Sequence, residues 1–248
     1  MSVLAIDLGN SRWKMAIVDD GRFAEVVSGC YDDFTVLDEA LQSAKRQVDR
    51  ALVASVASVR KTAVITAQVA DVCGVAVTPV VGSRPLCGVT PGYRKPEQLG
   101  VDRLLAMIAV RSMTERPFCV IDAGTAVTLD FVDRHGLHLG GFILPGQQLA
   151  RASLLQQTAI PKDSTASVED VLGRDTPTGV LLGSRYAAAA IAEMFLSGSR
   201  SLFPQQQAEL YLGGGDADGI GDALSVPYTK LDHLVLRGIA VVALSGEV

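Results

Sequence analysis

Ala5-Ile6-Asp7-Leu8-Gly9-Asn10 and Val120-Ile121-Asp122-Ala123-Gly124-Thr125 state one pattern twice in a chain of 248 residues, at an offset of 122 − 7 = 115 positions. In each copy an apolar run meets a carboxylate and then a glycine, as a buried strand does when it enters a tight turn. The elements after each copy are repeated too. After the first copy, Arg12–Val18 reads as a second strand, Gly21 as part of a turn and Phe23–Ser28 as a third strand; after the second copy, Val127–Val132, Gly136 and Leu137–Leu144 take the same places. A strand ending in Asp-x-Gly is a common fragment, whereas a matched order of subsequent elements is not. The chain therefore reads as a duplicated α/β protein with domains at 1–115 and 116–248, joined near Glu115-Arg116-Pro117. Each domain is expected to hold a mixed five-stranded sheet with flanking helices.

Working outward, Asp32 and Asp33 can cap a helix reaching to about Arg50, with Phe34, Leu37, Leu41 and Ala44 on one face. Ala51–Val56 reads as a strand, Arg60–Val72 as a helix and Val75–Val81 as a strand. The Gly/Pro-rich segment 82–100 comes next. A loop of that length in a compact fold signals function or disorder, and its Cys, Leu, Val and Tyr residues argue against disorder. Val101–Met113 is a helix with Leu104, Leu105, Ile108 and Ala109 on one face. The second half adds helices over 146–158, 178–196 and 232–244, and a strand over Leu210–Leu212 that runs into Gly213-Gly214-Gly215.

Composition excludes several classes. With 48% hydrophobic and 20% charged residues the chain can bury a core and is not disordered. Its balance of 22 − 27 = −5 charges, with no Lys/Arg run longer than a pair, speaks against nucleic acid as a partner. Cys30, Cys73, Cys87 and Cys119 are scattered singly, which gives neither zinc-ligand spacing nor a disulfide framework and points to a reducing compartment. The N-terminal residues do not resemble a signal peptide, and the apolar stretches fall short of the ~20 residues of a membrane span. The expectation is a cytoplasmic protein without a membrane partner.

The two repeated turns carry chemistry. Glycine lets backbone N–H groups approach phosphate oxygens, a carboxylate can organise magnesium, and Asn10, Ser11 and Lys14 supply donors. One such turn reads more readily as a plain turn; a pair reverses that, since two facing each other would clamp a nucleoside triphosphate. No P-loop or Rossmann glycine pattern competes. Gly213–Gly215, before Asp216, suits either a rest for an adenosine or a flexible turn. Gly100-Val101-Asp102-Arg103 stands where the long loop becomes a helix. An aspartate there can be a plain stabiliser of the helix dipole, or a general base beside a cation for an anionic substrate or a transferring phosphoryl group. His135, His138 and His233 lack metal or triad spacing and read as turn or surface residues, and Trp13 and Tyr211 read as packing residues.

Taken in order, Asp7 to Lys14, Gly92-Tyr93, Pro96 to Arg103, Ile121 to Ala126 and Gly140 to Gly146 resemble type III pantothenate kinases over nearly the whole chain. The resemblance implies two ribonuclease-H-like domains of the acetate/sugar kinase and actin superfamily, a homodimer, and ATP-dependent phosphorylation of pantothenate to 4′-phosphopantothenate, the entry step of coenzyme A synthesis. It implies that Asp7, Leu8, Gly9, Asn10, Ser11, Arg12, Trp13 and Lys14 form the first ATP-phosphate turn and that Thr125 contacts ATP. Asp102 would take the proton of the pantothenate hydroxyl, and Tyr93, Gly100, Val101, Asp102, Arg103 and Thr178 would line the pantothenate site. A monovalent cation, potassium or ammonium, is implied at Asp122, and magnesium accompanies ATP with Asp7 as its candidate ligand. Ser11, Val101, Ala123 and Leu212 depart from the family's commoner Thr, Ala, Phe and Thr. Only the last departure removes a hydroxyl, on the adenosine side. Two alternatives stay open on the same scaffold, a non-catalytic transcription accessory factor and a kinase of another small alcohol.

Overall fold

The computed structural model describes residues 2–23, 25–157, 166 and 171–248. The chain divides into two units, Met1–Glu115 with His135–His138 and His233–Val248, and Arg116–Arg134 with Leu139–Asp232.

In the first unit, strands β1 (Val3–Leu8), β2 (Arg12–Asp19), β3 (Arg22–Phe23), β4 (Val27–Cys30), β5 (Arg50–Ser55) and β6 (Val77–Pro79) form one sheet, ordered β3-β2-β1-β5-β6 with β4 also on β2. β1 is antiparallel to β2 and parallel to β5. That central place explains a strand apolar on both faces. Leu4, Ile6 and Leu8 join Trp13 and Met15 in a core closed by helices α1 (Thr35–Ala44) and α2 (Val59–Cys73), and Val3 and Ala5 are buried on the other face. Since side chains alternate along a strand, Asp7 lies on that second face, where its cross-strand neighbour is Lys14.

The first sheet has six strands, one more than expected, because the stretch 23–28 contributes to two. β3 closes a hairpin at Asp20 and Gly21, whose φ angles of 49° and 75° satisfy the turn, and β4 pairs with Arg12–Met15 of β2. Gly29 of β4 faces Trp13, and a Cβ there would overlap the indole. Gly29→Ala is therefore expected to destabilise the fold by about 1–3 kcal/mol, followed in denaturant by the fluorescence of Trp13, the chain's one tryptophan; an unchanged midpoint would mean that the indole can move aside. α1 stops at Ala44 and not near Arg50, because Arg46 takes a left-handed φ of 69° and Arg50 already opens β5.

The other face of the sheet is covered by α3 (Val101–Arg111) and by the chain's last helix, Leu234–Ser245, which cross at Gly238. A Cβ at Gly238 would lie 2.7 Å from the Leu105 carbonyl carbon, so the two backbones touch. A simple division into halves at 115 gives this last helix to the second domain. It packs in the first unit instead, with Leu234, Leu236, Ile239 and Val242 buried, because an apolar sheet face left uncovered there would cost more than the long return.

In the second unit, β7 (Phe118–Ala123), β8 (Ala126–Val132), β9 (His138–Pro145), α4 (Gln147–Gln157), α5 (Thr176–Leu196), β10 (Glu209–Gly213), α6 (Ala217–Gly221) and β11 (Thr229–Lys230) come in order. Its sheet runs β11-β10-β7-β8-β9, which is β6-β5-β1-β2-β3 repeated strand for strand. The turns differ by one residue: Leu8 pairs with Trp13 across residues 9–12, and Ala123 pairs with Val127 across residues 124–126. Helix α5, with 21 residues and a mean hydropathy of 1.3 in its most apolar stretch, is long and apolar enough to cross a membrane, where the sequence leads one to expect no such segment. Its inner face places Ala188, Ala192 and Leu196 in the second core, beside Phe131 and Leu212.

Candidate active site

The chain reverses after β1 over Gly9–Arg12, closed by the Gly9 N–H donating to the Arg12 carbonyl at 3.0 Å. Leu8 and Trp13, which flank this turn, point into the core at 0% and 1% exposure, and the Trp13 indole N–H donates to the Cys30 carbonyl at 3.2 Å. These two can offer a ligand only backbone. Asn10, Ser11 and Arg12 are exposed, and Asp7 and Lys14 are half-buried neighbours across β1 and β2. Behind the turn, the Tyr31 hydroxyl donates to the Gly9 carbonyl at 2.6 Å, and Lys61 Nζ donates to the Asn10 carbonyl at 3.2 Å. The Lys61 ammonium also lies 4.1 Å from the Tyr31 ring centroid. Burial first, and the Asp7 charge second, push the Tyr31 pKa up to about 12.

The long loop returns to this same end of the sheet. The Val56 N–H donates to the Leu8 carbonyl at 3.0 Å, and a Cβ on Gly100 would lie 3.9 Å from Val56 Cγ1. Gly100 caps α3. In the first turn of that helix Asp102 folds back, its Oδ1 accepting from the Arg103 N–H at 2.8 Å and filling the space that a side chain at position 100 would need. That overlap is a physical reason for glycine there. Arg103 is 5% exposed, donates from Nη1 to the Tyr93 hydroxyl, and holds its guanidinium carbon 5.4 Å from the Tyr93 ring centroid.

His138 stacks on Tyr93, with centroids 5.7 Å apart and planes at 21°. Expected at the surface, this histidine is 1% exposed. The loop is laced to it, Thr90 N–H donating to the Gly136 carbonyl at 2.9 Å and His138 N–H to the Thr90 carbonyl at 3.0 Å. Gly92 then passes so close to the His138 carbonyl that no side chain fits.

In the second unit, Asp122 is half-buried at the end of β7, beside Thr128 on one strand and Gly213 on the other. The Gly124 N–H donates to the Ala126 carbonyl at 2.9 Å and the Gly146 N–H to the Thr125 carbonyl at 3.0 Å, while Thr125 itself is exposed. Gly214, at a φ of 94°, presses on the Ala123 backbone where any Cβ would collide, and the Asp216 N–H donates to the Ala123 carbonyl at 3.0 Å. The glycine run is thus packed on the second turn. Thr178 is 2% exposed in the first turn of α5, where its N–H and hydroxyl donate to the Asp175 carboxylate at 2.8 and 2.9 Å. Both turns offer oxygen donors, from carboxylate, carboxamide, hydroxyl and carbonyl groups, the set that hard cations take. Among the described residues no group of three His, Cys, Asp or Glu gathers, so a hard cation such as magnesium at either turn would draw its remaining ligands from a bound phosphate and from water.

Residues 3–197 match the family model for type III pantothenate kinase. A type III pantothenate kinase of Ectopseudomonas mendocina is 34% identical over 244 residues, covering 96% of this chain and 98% of that protein. This chain belongs to the type III pantothenate kinase family. The family's protein from Halorhodospira halophila is 32% identical, with 95% of each chain covered. Among solved structures, a Campylobacter jejuni protein described as a Baf family transcriptional activator superposes with a TM-score of 0.63 at 18% identity, over 99% of this chain and 100% of the other. Component A of the Acidaminococcus fermentans (R)-2-hydroxyglutaryl-CoA dehydratase gives 0.56 at 14% identity, over 99% and 97%. These likenesses establish the fold alone, two α/β halves that each carry a mixed sheet with flanking helices.

In this type III pantothenate kinase, then, the first unit gathers the Asp7–Lys14 turn, Gly100–Arg103 and Tyr93, and the second unit carries Asp122, Thr125 and Thr178. Tyr31, Lys61 and His138 join the first group without belonging to any of the sequence motifs. Their sequence neighbourhoods carry no signal for it; each is recruited by a contact from a distant segment.

Proposed function

We propose that this kinase moves the γ-phosphoryl group of ATP to the 4′-hydroxyl of pantothenate, with Asp102 as general base. The observation that carries the reading is the start of α3, where one carboxylate is held over a glycine by the next residue's N–H, beside a buried arginine. Asp102 accepts the hydroxyl proton as the oxygen attacks the γ-phosphorus and the bond to the ADP oxygen breaks. Arg103, braced by Tyr93, binds the anionic end of pantothenate, with Gly100, Val101 and Thr178 as further substrate contacts. The Asp7–Lys14 turn holds the ATP phosphates, Lys14 and Asn10 offsetting charge that builds up in transfer. Thr125 contacts ATP. Magnesium, when bound with ATP, neutralises phosphate charge, and Asp7 is its protein ligand; Asp122 holds potassium or ammonium.

The protein acts in the cytoplasm as a homodimer in this reading. Support for a second copy comes from the end of β9 and from α4 and α5, where Ile143, Leu149, Leu154 and Tyr186 are 62%, 47%, 39% and 39% exposed, and from an apolar cavity of ≈ 580 Å³ lined by Leu144, Ala150, Val180 and Ala187 of the same elements. The test is ADP formation with magnesium, with and without pantothenate and with and without potassium, and identification of 4′-phosphopantothenate. ADP release that does not depend on pantothenate removes the reading; release that tracks another small alcohol, or no release at all, selects one of the two alternatives.

A further inference from the structure

We infer that Tyr31 and Lys61 are positioning residues of the phosphate turn, holding the Gly9 and Asn10 carbonyls to one side so that the peptide N–H groups beyond them face the polyphosphate of ATP. The inference rests on the ATP-binding role proposed for that turn. Its geometry comes from two hydrogen bonds and one ring contact. Tyr31, just past β4, reaches the Gly9 carbonyl at 2.6 Å, and Lys61, in the first turn of α2, reaches the Asn10 carbonyl at 3.2 Å.

The peptide bonds are all trans among the described residues. In a trans peptide the C=O and the next residue's N–H point in opposite directions. Fixing the Gly9 oxygen therefore aims the Asn10 N–H away from Tyr31, and fixing the Asn10 oxygen aims the Ser11 N–H away from Lys61. A turn that binds polyphosphate needs this sense, because a carbonyl turned toward phosphate repels it, and the peptide beside a glycine flips more easily than others.

The two braces also support each other. The Ser58 hydroxyl caps α2 by accepting from the Lys61 N–H at 3.4 Å, which sets the root of the lysine, and the ammonium rests 4.1 Å from the Tyr31 ring centroid. The tyrosine remains a donor at any ordinary assay pH, since its pKa is pushed up to about 12. Lys61 brings a second effect of the same sign, a positive charge at the turn in addition to Lys14.

Tyr31→Phe deletes one hydroxyl, Lys61→Gln one charge, and Lys61→Arg keeps the charge. ATP KM at saturating pantothenate, pantothenate KM at saturating ATP, and the Kd of a non-hydrolysable ATP analogue with magnesium are measured for each, together with the melting temperature. The expected result is a rise of about 3- to 10-fold in ATP KM and analogue Kd for Tyr31→Phe and Lys61→Gln, with pantothenate KM and melting temperature unchanged and Lys61→Arg close to the parent. The double variant should fall short of the product of the single effects, because the residues share one turn. The inference is overturned if both variants bind the analogue as the parent does, or if both KM values and the melting temperature shift together. Should the parent bind no ATP analogue, the ATP-binding role of the turn fails and the inference goes with it. Should the parent bind the analogue but make no pantothenate-dependent ADP, only the reaction assignment fails, and the analogue Kd still decides on the braces.

Discussion

Asp102→Asn is expected to lower kcat by about 10²- to 10⁴-fold, the range lost with a general base, while leaving the melting temperature and the pantothenate KM near those of the parent. The substitution keeps the shape of the side chain. An amide oxygen can still accept from the Arg103 N–H, which Asp102 Oδ1 now does at 2.8 Å, so the first turn of α3 is retained and proton acceptance alone is lost. A variant that turns over at close to the parent rate would remove Asp102 from the chemistry. Gly100→Ala is the geometric counterpart. Its Cβ would occupy the site of Asp102 Oδ1, so the carboxylate is present but displaced, and kcat should fall by up to about 100-fold.

Arg103→Met is expected to raise the pantothenate KM by about 10- to 100-fold, the usual loss for a charge-assisted hydrogen bond, with a smaller effect on ATP KM. Arg103 is 5% exposed, and a guanidinium is buried only where the fold gives it polar partners. Tyr93 supplies one partner and a flat surface, and is itself backed by His138. That arrangement fixes the plane of the guanidinium fork, which suits a carboxylate taken through two parallel hydrogen bonds. Lysine has no such fork, so Arg103→Lys should recover only part of the loss. An unchanged pantothenate KM with a raised ATP KM would move Arg103 to the phosphoryl side of the reaction.

Legibility of the fold varied with local pattern. β1 and β7 are readable because central strands are apolar without interruption and end in Asp-x-Gly. Their partners β2 and β8 come at once. α6 (Ala217–Gly221) and β11 (Thr229–Lys230) carry no readable period, since five and two residues are too few to show one. The end of α1 is not legible because Lys45 and Arg46 suit a helix, and only the need to enter β5 beside β1 forces Arg46 to a φ of 69°. α5 begins at Thr176, capped by Asp175, earlier than its apolar pattern suggests. For the candidate site, the carboxylates and glycines announce themselves, whereas His138, Tyr31 and Lys61 do not.

By itself the sequence determined the duplication, the two carboxylate–glycine turns and the Asp102–Arg103 pair at a helix start, because each is written in residues adjacent along the chain. The tertiary structure alone decided which distant groups close on them. Gly92 reads like any loop glycine until the His138 carbonyl is seen passing over it, and the last helix reads as part of the second half until Gly238 meets the Leu105 backbone. Tyr31 and Lys61 reach Gly9 and Asn10 from separate elements, across 22 and 51 positions. Contacts of that separation arise from sheet order and from the burial of apolar faces, which depend on the whole chain and leave no trace in any short window.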